Sequence, residues 1–220
     1  MNKEDIKGII FDLDGVLFDS EYYQWQAWVI PLKEYGIELT KEMYLKYVGK
    51  RSLDQVDQEL IEDFNLNIPF GTLWEEKRKL IEKWFSEDAL PLIPYAKEAV
   101  EYFINNHKFK VALCSAGALD EIMIKLEKND FTKYFSIIVS GDGILKSKPA
   151  PDIYLSAINK LGLKPEECLA FEDTQYGVES AKSAGAYCFA IPTEYSEKQD
   201  LSKADRILSS LKEAVDFFEN

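Results

Sequence analysis

Of the chain's 220 residues, one is histidine and three are cysteine. With His107 as the single histidine, no zinc site of Cys and His ligands can be built. Three cysteines, an odd number, do not make the disulfide framework of a small secreted domain. Cys114 and Cys188 stand inside apolar runs and read as buried thiols. Basic residues are few beside acidic ones: 26 Lys and Arg against 39 Asp and Glu, a formal charge of −13. Such a chain lacks the cationic face that a phosphate backbone requires, which argues against nucleic-acid binding. A small anionic ligand needs only a local cationic site. No apolar run approaches the roughly 18 residues of a membrane span. Met1 to Lys7 is charged and leads directly into a strand-like segment, unlike a signal peptide. A cytoplasmic protein away from membranes is expected, with a monomer as the default.

What is present is ample for an ordered protein. Hydrophobic residues make up 46%, aromatic residues 13% and charged residues 30%, the balance of a globular chain of one or two domains. Short continuous apolar runs recur at Gly8–Phe11, Val111–Cys114, Ile137–Val139, Leu169–Phe171 and Tyr187–Ile191, with Arg206–Leu208 as a candidate sixth. Runs of this kind suit strands buried on both faces of a parallel sheet. The stretches between them read as helices. Ala99, Val100 and Phe103 share one face, as do Ile153, Tyr154, Ala157, Ile158 and Leu161, with Gly162 placed as a C-terminal cap. Strands alternating with helices predict an α/β fold, a doubly wound and mainly parallel sheet. Residues 20–88 break the rhythm: they hold all four tryptophans and no convincing strand. An all-helical insertion is expected there, with residues 1–19 and 89–220 forming the α/β domain. Its flanks, Asp19–Ser20 and Glu87–Pro91, are candidate hinges.

In open α/β sheets, ligands bind beyond the carboxyl ends of the strands. The first run ends in Asp12, followed by Asp14; the second ends in Ser115, the fourth in Glu172 and Asp173. The loop after the third carries Lys148. Four acids in one crevice repel unless a cation lies between them, and hard oxygen ligands without His or Cys point to Mg²⁺. Such an ion attracts phosphate, whose other oxygens Lys148 and Ser115 could hold. A carboxylate beside it could attack phosphorus, and a second could handle a proton. Each residue alone has a plainer reading: turn formers around Gly15, a helix cap at Ser115, a solvated lysine, a helix-start pair at 172–173. Thr174 reads as a helix start.

Taken in order, F-D-L-D-G-V-L at Phe11–Leu17, L-C-S-A-G around Ser115, K-S-K-P-A-P-D around Lys148 and F-E-D-T at Phe171–Thr174 resemble the four motifs of the haloacid-dehalogenase superfamily. The helical insertion resembles the small cap of the subgroup containing β-phosphoglucomutase and phosphoglycolate phosphatase. The resemblance implies a Rossmann-like core and a set of roles. Asp12 is the nucleophile, and Asp14 the general acid and then base. Ser115 and Lys148 bind the phosphoryl group, with backbone N–H groups near Asp14–Gly15 and Ala116 as a cradle. Asp12, Glu172, Asp173 and the Asp14 carbonyl hold Mg²⁺. Dehalogenases of this fold lack an acid at the position of Asp14, so phosphoryl transfer is expected. Gln24 stands where β-phosphoglucomutases carry a histidine, which favours a phosphatase over a phosphomutase. Arg51 and Arg78, with Lys50 and Lys77, are candidate substrate contacts, and the substrate class is a small phosphorylated metabolite such as a sugar phosphate. A non-enzymatic interaction protein is the remaining alternative.

Overall fold

The computed structural model describes residues 2–50 and 52–220. Six strands form one sheet: β1 (Gly8–Asp12), β2 (Lys110–Cys114), β3 (Ile138–Val139), β4 (Cys168–Glu172), β5 (Tyr187–Ala190) and β6 (Arg206–Ile207). Their order is β3-β2-β1-β4-β5-β6, and every neighbouring pair is parallel. All five residues of β1 are buried, as a central strand covered on both faces requires. The third and sixth runs shorten to two residues each, because they lie at the sheet's edges.

The two faces are packed differently. Ile9, Phe11, Leu113, Leu169, Phe171 and Phe189 share a cluster with Val100 and Phe103 of α5 (Ala96–Asn105) and Leu211 and Ala214 of α9 (Leu211–Glu219). On the other face, Ile10, Ala112, Cys114, Ala170 and Cys188 meet α7 (Asp152–Leu161) and α8 (Gln175–Ser183). Small side chains there let these helices approach closely. Cys114, Cys168 and Cys188 are buried free thiols. Gly162 ends α7 at φ 66°, a left-handed cap, and Thr174 caps α8 by accepting from the Gly177 N–H at 3.2 Å.

Between β1 and α5 the described chain is helical: α1 (Glu21–Glu34), α2 (Lys41–Tyr44), α3 (Gln58–Asp63) and α4 (Thr72–Glu87). Trp28, Leu32, Tyr47, Leu60 and Leu73 form an apolar cluster of their own, joined by Tyr195 from the segment after β5. The buried face of α4 is Leu73, Lys77, Ile81 and Phe85, one residue every four, while Leu80 and Trp84 are half-buried. The connections on either side run together: the Asp19 N–H donates to the Pro91 carbonyl at 2.9 Å, and the Ile93 N–H to that of Leu17 at 3.0 Å. The α6 helix (Leu119–Lys128) follows β2 and packs against α4.

Candidate active site

Register decides what gathers at the sheet's carboxyl edge. Asp12 pairs with Cys114, and Phe11 with Phe171, so Asp12, Ser115, Glu172 and Asp173 emerge side by side. Lys148 reaches in from the loop before α7. Its Nζ donates to Asp12 Oδ1 at 2.6 Å and to Glu172 Oε1 at 2.5 Å. The Tyr154 hydroxyl of α7 also donates to Glu172 Oε1. Carboxylate oxygens of Asp12, Glu172 and Asp173 lie within 4.8 Å of one another, and all three residues are buried. Two glycines make room for them. A Cβ at Gly15, where φ is +80°, would stand 2.1 Å from Asp173 Oδ2; one at Gly177 would stand 2.0 Å from Glu172 Cδ.

The electrostatics follow from that crowding. Burial, offset only in part by Lys148, pushes the Asp12 carboxyl up to about 8. Burial, then Glu172 and Asp12, holds Asp173 well above the usual carboxylate range. Burial disfavours the Lys148 ammonium, yet Asp12 and Glu172 hold its pKa well above the ordinary lysine value. Three buried carboxylates share one ammonium, so the cluster is short of positive charge. Its donors are all hard oxygens, and a divalent cation such as Mg²⁺ fits that set.

Asp14 stands apart from these three. Its Oδ1 accepts from Lys125 Nζ of α6 at 2.6 Å and from the Ser20 hydroxyl. Asp12, Asp14, Ser115, Ala116, Lys148 and Asp173 all face a cavity of about 610 Å³, whose far wall carries Gln24, Trp28, Lys77 and Arg78. One expectation changes in detail. The Gly15 N–H, expected in the cradle, is engaged by the Phe18 carbonyl at 2.9 Å, because the chain turns back on itself there. Ser115 does not cap α6; its Oγ accepts from the Gly117 N–H at 3.2 Å, inside the loop.

The candidate substrate contacts fare unequally. Gln24 lines the cavity, but its amide donates to Glu121 Oε1 at 2.8 Å. Arg78 pairs with Glu82 one turn on and lies over the Trp74 ring, 5.8 Å from its centroid. Lys50 pairs with Glu59 at 2.6 Å. Arg51 lies outside the described residues.

The family model described as haloacid dehalogenase-like hydrolase matches residues 9–191. This chain belongs to that family. Among haloacid dehalogenase-like hydrolases it is 30% identical over 188 residues to the phosphorylated carbohydrates phosphatase of Thermotoga maritima, covering 82% of each chain. Its fold matches CbbY from Rhodobacter sphaeroides, solved in complex with phosphate, at a TM-score of 0.82 and 24% identity, over 94% of this chain and 96% of the other. A putative β-phosphoglucomutase from Thermotoga maritima matches at 0.74 and 28% identity, over 97% and 99%. By its family and its relatives the chain is a phosphatase.

Sequence reasoning missed Lys125, Glu121, Ser20 and Tyr154. A signal for Lys125 was present. On α6 the buried residues are Ile122, Lys125 and Leu126, so this lysine occupies the apolar face, where a solvated lysine would not. Lys77 carries the same mark between Leu73 and Ile81. Its pKa is lowered by burial, and its Nζ lies 5.5 Å from the Trp28 ring centroid.

Proposed function

We propose that the protein is a Mg²⁺-dependent phosphatase that hydrolyses a small phosphorylated metabolite, a sugar phosphate or similar, through an aspartyl-phosphate. The observation that carries this reading is the buried group of Asp12, Glu172 and Asp173, with Lys148 between two of its members; Asp12, Lys148 and Asp173 line one cavity. Asp12 attacks phosphorus, and the ester P–O bond breaks with its electron pair on the leaving oxygen. That oxygen takes a proton from Asp14. A water then attacks the aspartyl-phosphate and gives its proton to Asp14, and the bond to Asp12 breaks to release phosphate. Lys148 and Ser115 hold phosphoryl oxygens. Mg²⁺, held by Asp12, Glu172, Asp173 and the Asp14 carbonyl, would supply positive charge against the phosphoryl oxygens. The helices of residues 20–88 act as a cap over the cavity, opening for binding and closing for chemistry at the paired connections.

A small metabolite suits a cavity of about 610 Å³, and the carbohydrate phosphatase among the relatives supports a sugar phosphate. Hydrolysis is favoured over phosphomutase chemistry by the position of Gln24, bonded to Glu121, and by that of His107. This histidine precedes β2, at the end of the sheet opposite the acids. The test is inorganic phosphate release from sugar phosphates, phosphoglycolate, nucleotides and β-glucose 1-phosphate, in Mg²⁺ and in EDTA. Release in Mg²⁺ alone is expected. Conversion of β-glucose 1-phosphate to glucose 6-phosphate without release would replace phosphatase by mutase. Asp12→Asn is expected to lower kcat by about 10³-fold or more while melting like the wild type; normal turnover by that variant would rule out the aspartyl-phosphate.

A further inference from the structure

A lysine side chain inside a protein is costly unless its charge is met. Lys125 is 1% exposed, and its surroundings are assembled from distant parts of the chain. Its Nζ donates to Asp14 Oδ1 at 2.6 Å, 111 positions away in sequence. It pairs with Glu121 Oε1, one turn earlier on α6, at 2.8 Å. The same Glu121 oxygen accepts from Gln24 of α1. The Phe85 ring of α4 covers the ammonium, its centroid 5.1 Å away, and Phe85 is itself buried. Two helices of the insertion and one of the α/β domain thus close around this one cation.

We infer that Lys125 is a positioning residue for Asp14, fixing which carboxyl oxygen handles the proton. This rests on the phosphatase reading above. Asp14 Oδ1 accepts from two donors at once, Lys125 and the Ser20 hydroxyl. An oxygen so engaged does not carry the carboxyl's proton. Oδ2 is therefore the oxygen that exchanges the proton with the reacting atoms. From Oδ2 the proton passes to the leaving oxygen as the ester P–O bond breaks, and to Oδ2 the attacking water's proton returns. Glu121 and Gln24 hold Lys125 in place, and Phe85 shuts out water that would compete for its hydrogens. The role of Gln24 is then to support this lysine rather than to contact substrate.

The leaving group gives the test. A sugar alkoxide needs a proton to depart, whereas p-nitrophenolate leaves without one. Single-turnover release, with enzyme in excess, is measured in Mg²⁺ for p-nitrophenyl phosphate and for the fastest sugar phosphate of the panel. Lys125→Met is expected to slow sugar release by about tenfold or more and p-nitrophenolate release by less than about threefold. Lys125→Arg is expected to recover most of the loss, and Asp14→Asn to show the same split more strongly. Equal slowing of both substrates by Lys125→Met would mark a merely structural role and overturn the inference. Unchanged rates on both would do the same. If Asp14→Asn shows the split and Lys125→Met does not, only the role of Lys125 falls; if Asp14→Asn shows none, the reading of Asp14 falls with it. Melting by circular dichroism checks folding. If Lys125→Met does not fold, Lys125→Gln carries the same comparison.

Discussion

At the scale of single residues the site is a problem of packing acids. Gly177 lies in the first turn of α8, where a Cβ would stand 2.0 Å from both Cδ and Oε2 of Glu172. Glu172 cannot yield, since Lys148 and Tyr154 hold its other oxygen. Gly177→Ala is therefore expected to cost about 1–3 kcal/mol by overpacking, lowering Tm by about 2–12 °C for a chain of this size. It should also weaken Mg²⁺ dependence by displacing a candidate ligand. A thermal melt and a Mg²⁺ titration of phosphate release check this, and a wild-type melt would show that Glu172 has room to move. Gly15 has the same relation to Asp173, so two of the three clustered acids lie against a glycine.

Among the elements, α5 and β1 show how stability is kept apart from chemistry. Phe103 is fully buried and meets Phe11, Phe109, Phe171 and Phe218 with ring centroids 5.3–6.0 Å apart. Edge-on and tilted contacts of this kind add to the area they bury. Phe103→Ala is expected to destabilise by about 3–5 kcal/mol, read as a lower urea midpoint at unchanged slope. Turnover per folded molecule at 20 °C should stay the same, because Phe103 packs in the apolar cluster under the sheet and is not among the residues that line the cavity. A fall in kcat with an unchanged midpoint would mean that this aromatic layer sets the strand register. The α4 helix does both jobs. Its Ile81 and Phe85 pack in the sheet's own cluster, and its Leu73 in the insertion's, so one helix ties the two apolar clusters together.

For the whole molecule the unevenly met charge predicts a pH dependence. Burial raises Asp12 to about 8 and Glu21 to about 7, and it raises Asp173 as well. These carboxyls are ionised above about pH 4–5 in the unfolded chain. In EDTA the folded protein thus holds protons through about pH 5–8 that the unfolded chain has released, so stability falls as pH rises across that window. Glu121, lowered to about 2 chiefly by Lys125 and Lys77 against burial, is ionised in both states there and leaves the slope unchanged. Tm in EDTA is expected to drop between pH 5.5 and 8.5, and Mg²⁺ to raise it more at the higher pH, where it binds the ionised cluster. A flat or rising Tm in EDTA would contradict this charge balance. Among the described residues no helix is long and apolar enough to cross a membrane.

The sequence by itself determined the sheet and the acids at its edge. A strand buried on both faces must be written as a continuous apolar run, and in a parallel sheet the residues just past each run come to one edge. Asp12, Ser115, Glu172 and Asp173 were legible for that reason, and Lys148 through its place after the third run. The helices between β1 and α5 were legible because the sequence there offers no such run. Only the tertiary structure decided which helix faces turn toward the cavity and which partner each long side chain takes. Lys125 meets Asp14, 111 positions away in the chain, and Gln24 turns to Glu121, 97 positions away. Those choices depend on how α1, α4 and α6 pack on one another. That packing is set by apolar contacts between segments far apart in the chain, which a local pattern of residues does not encode.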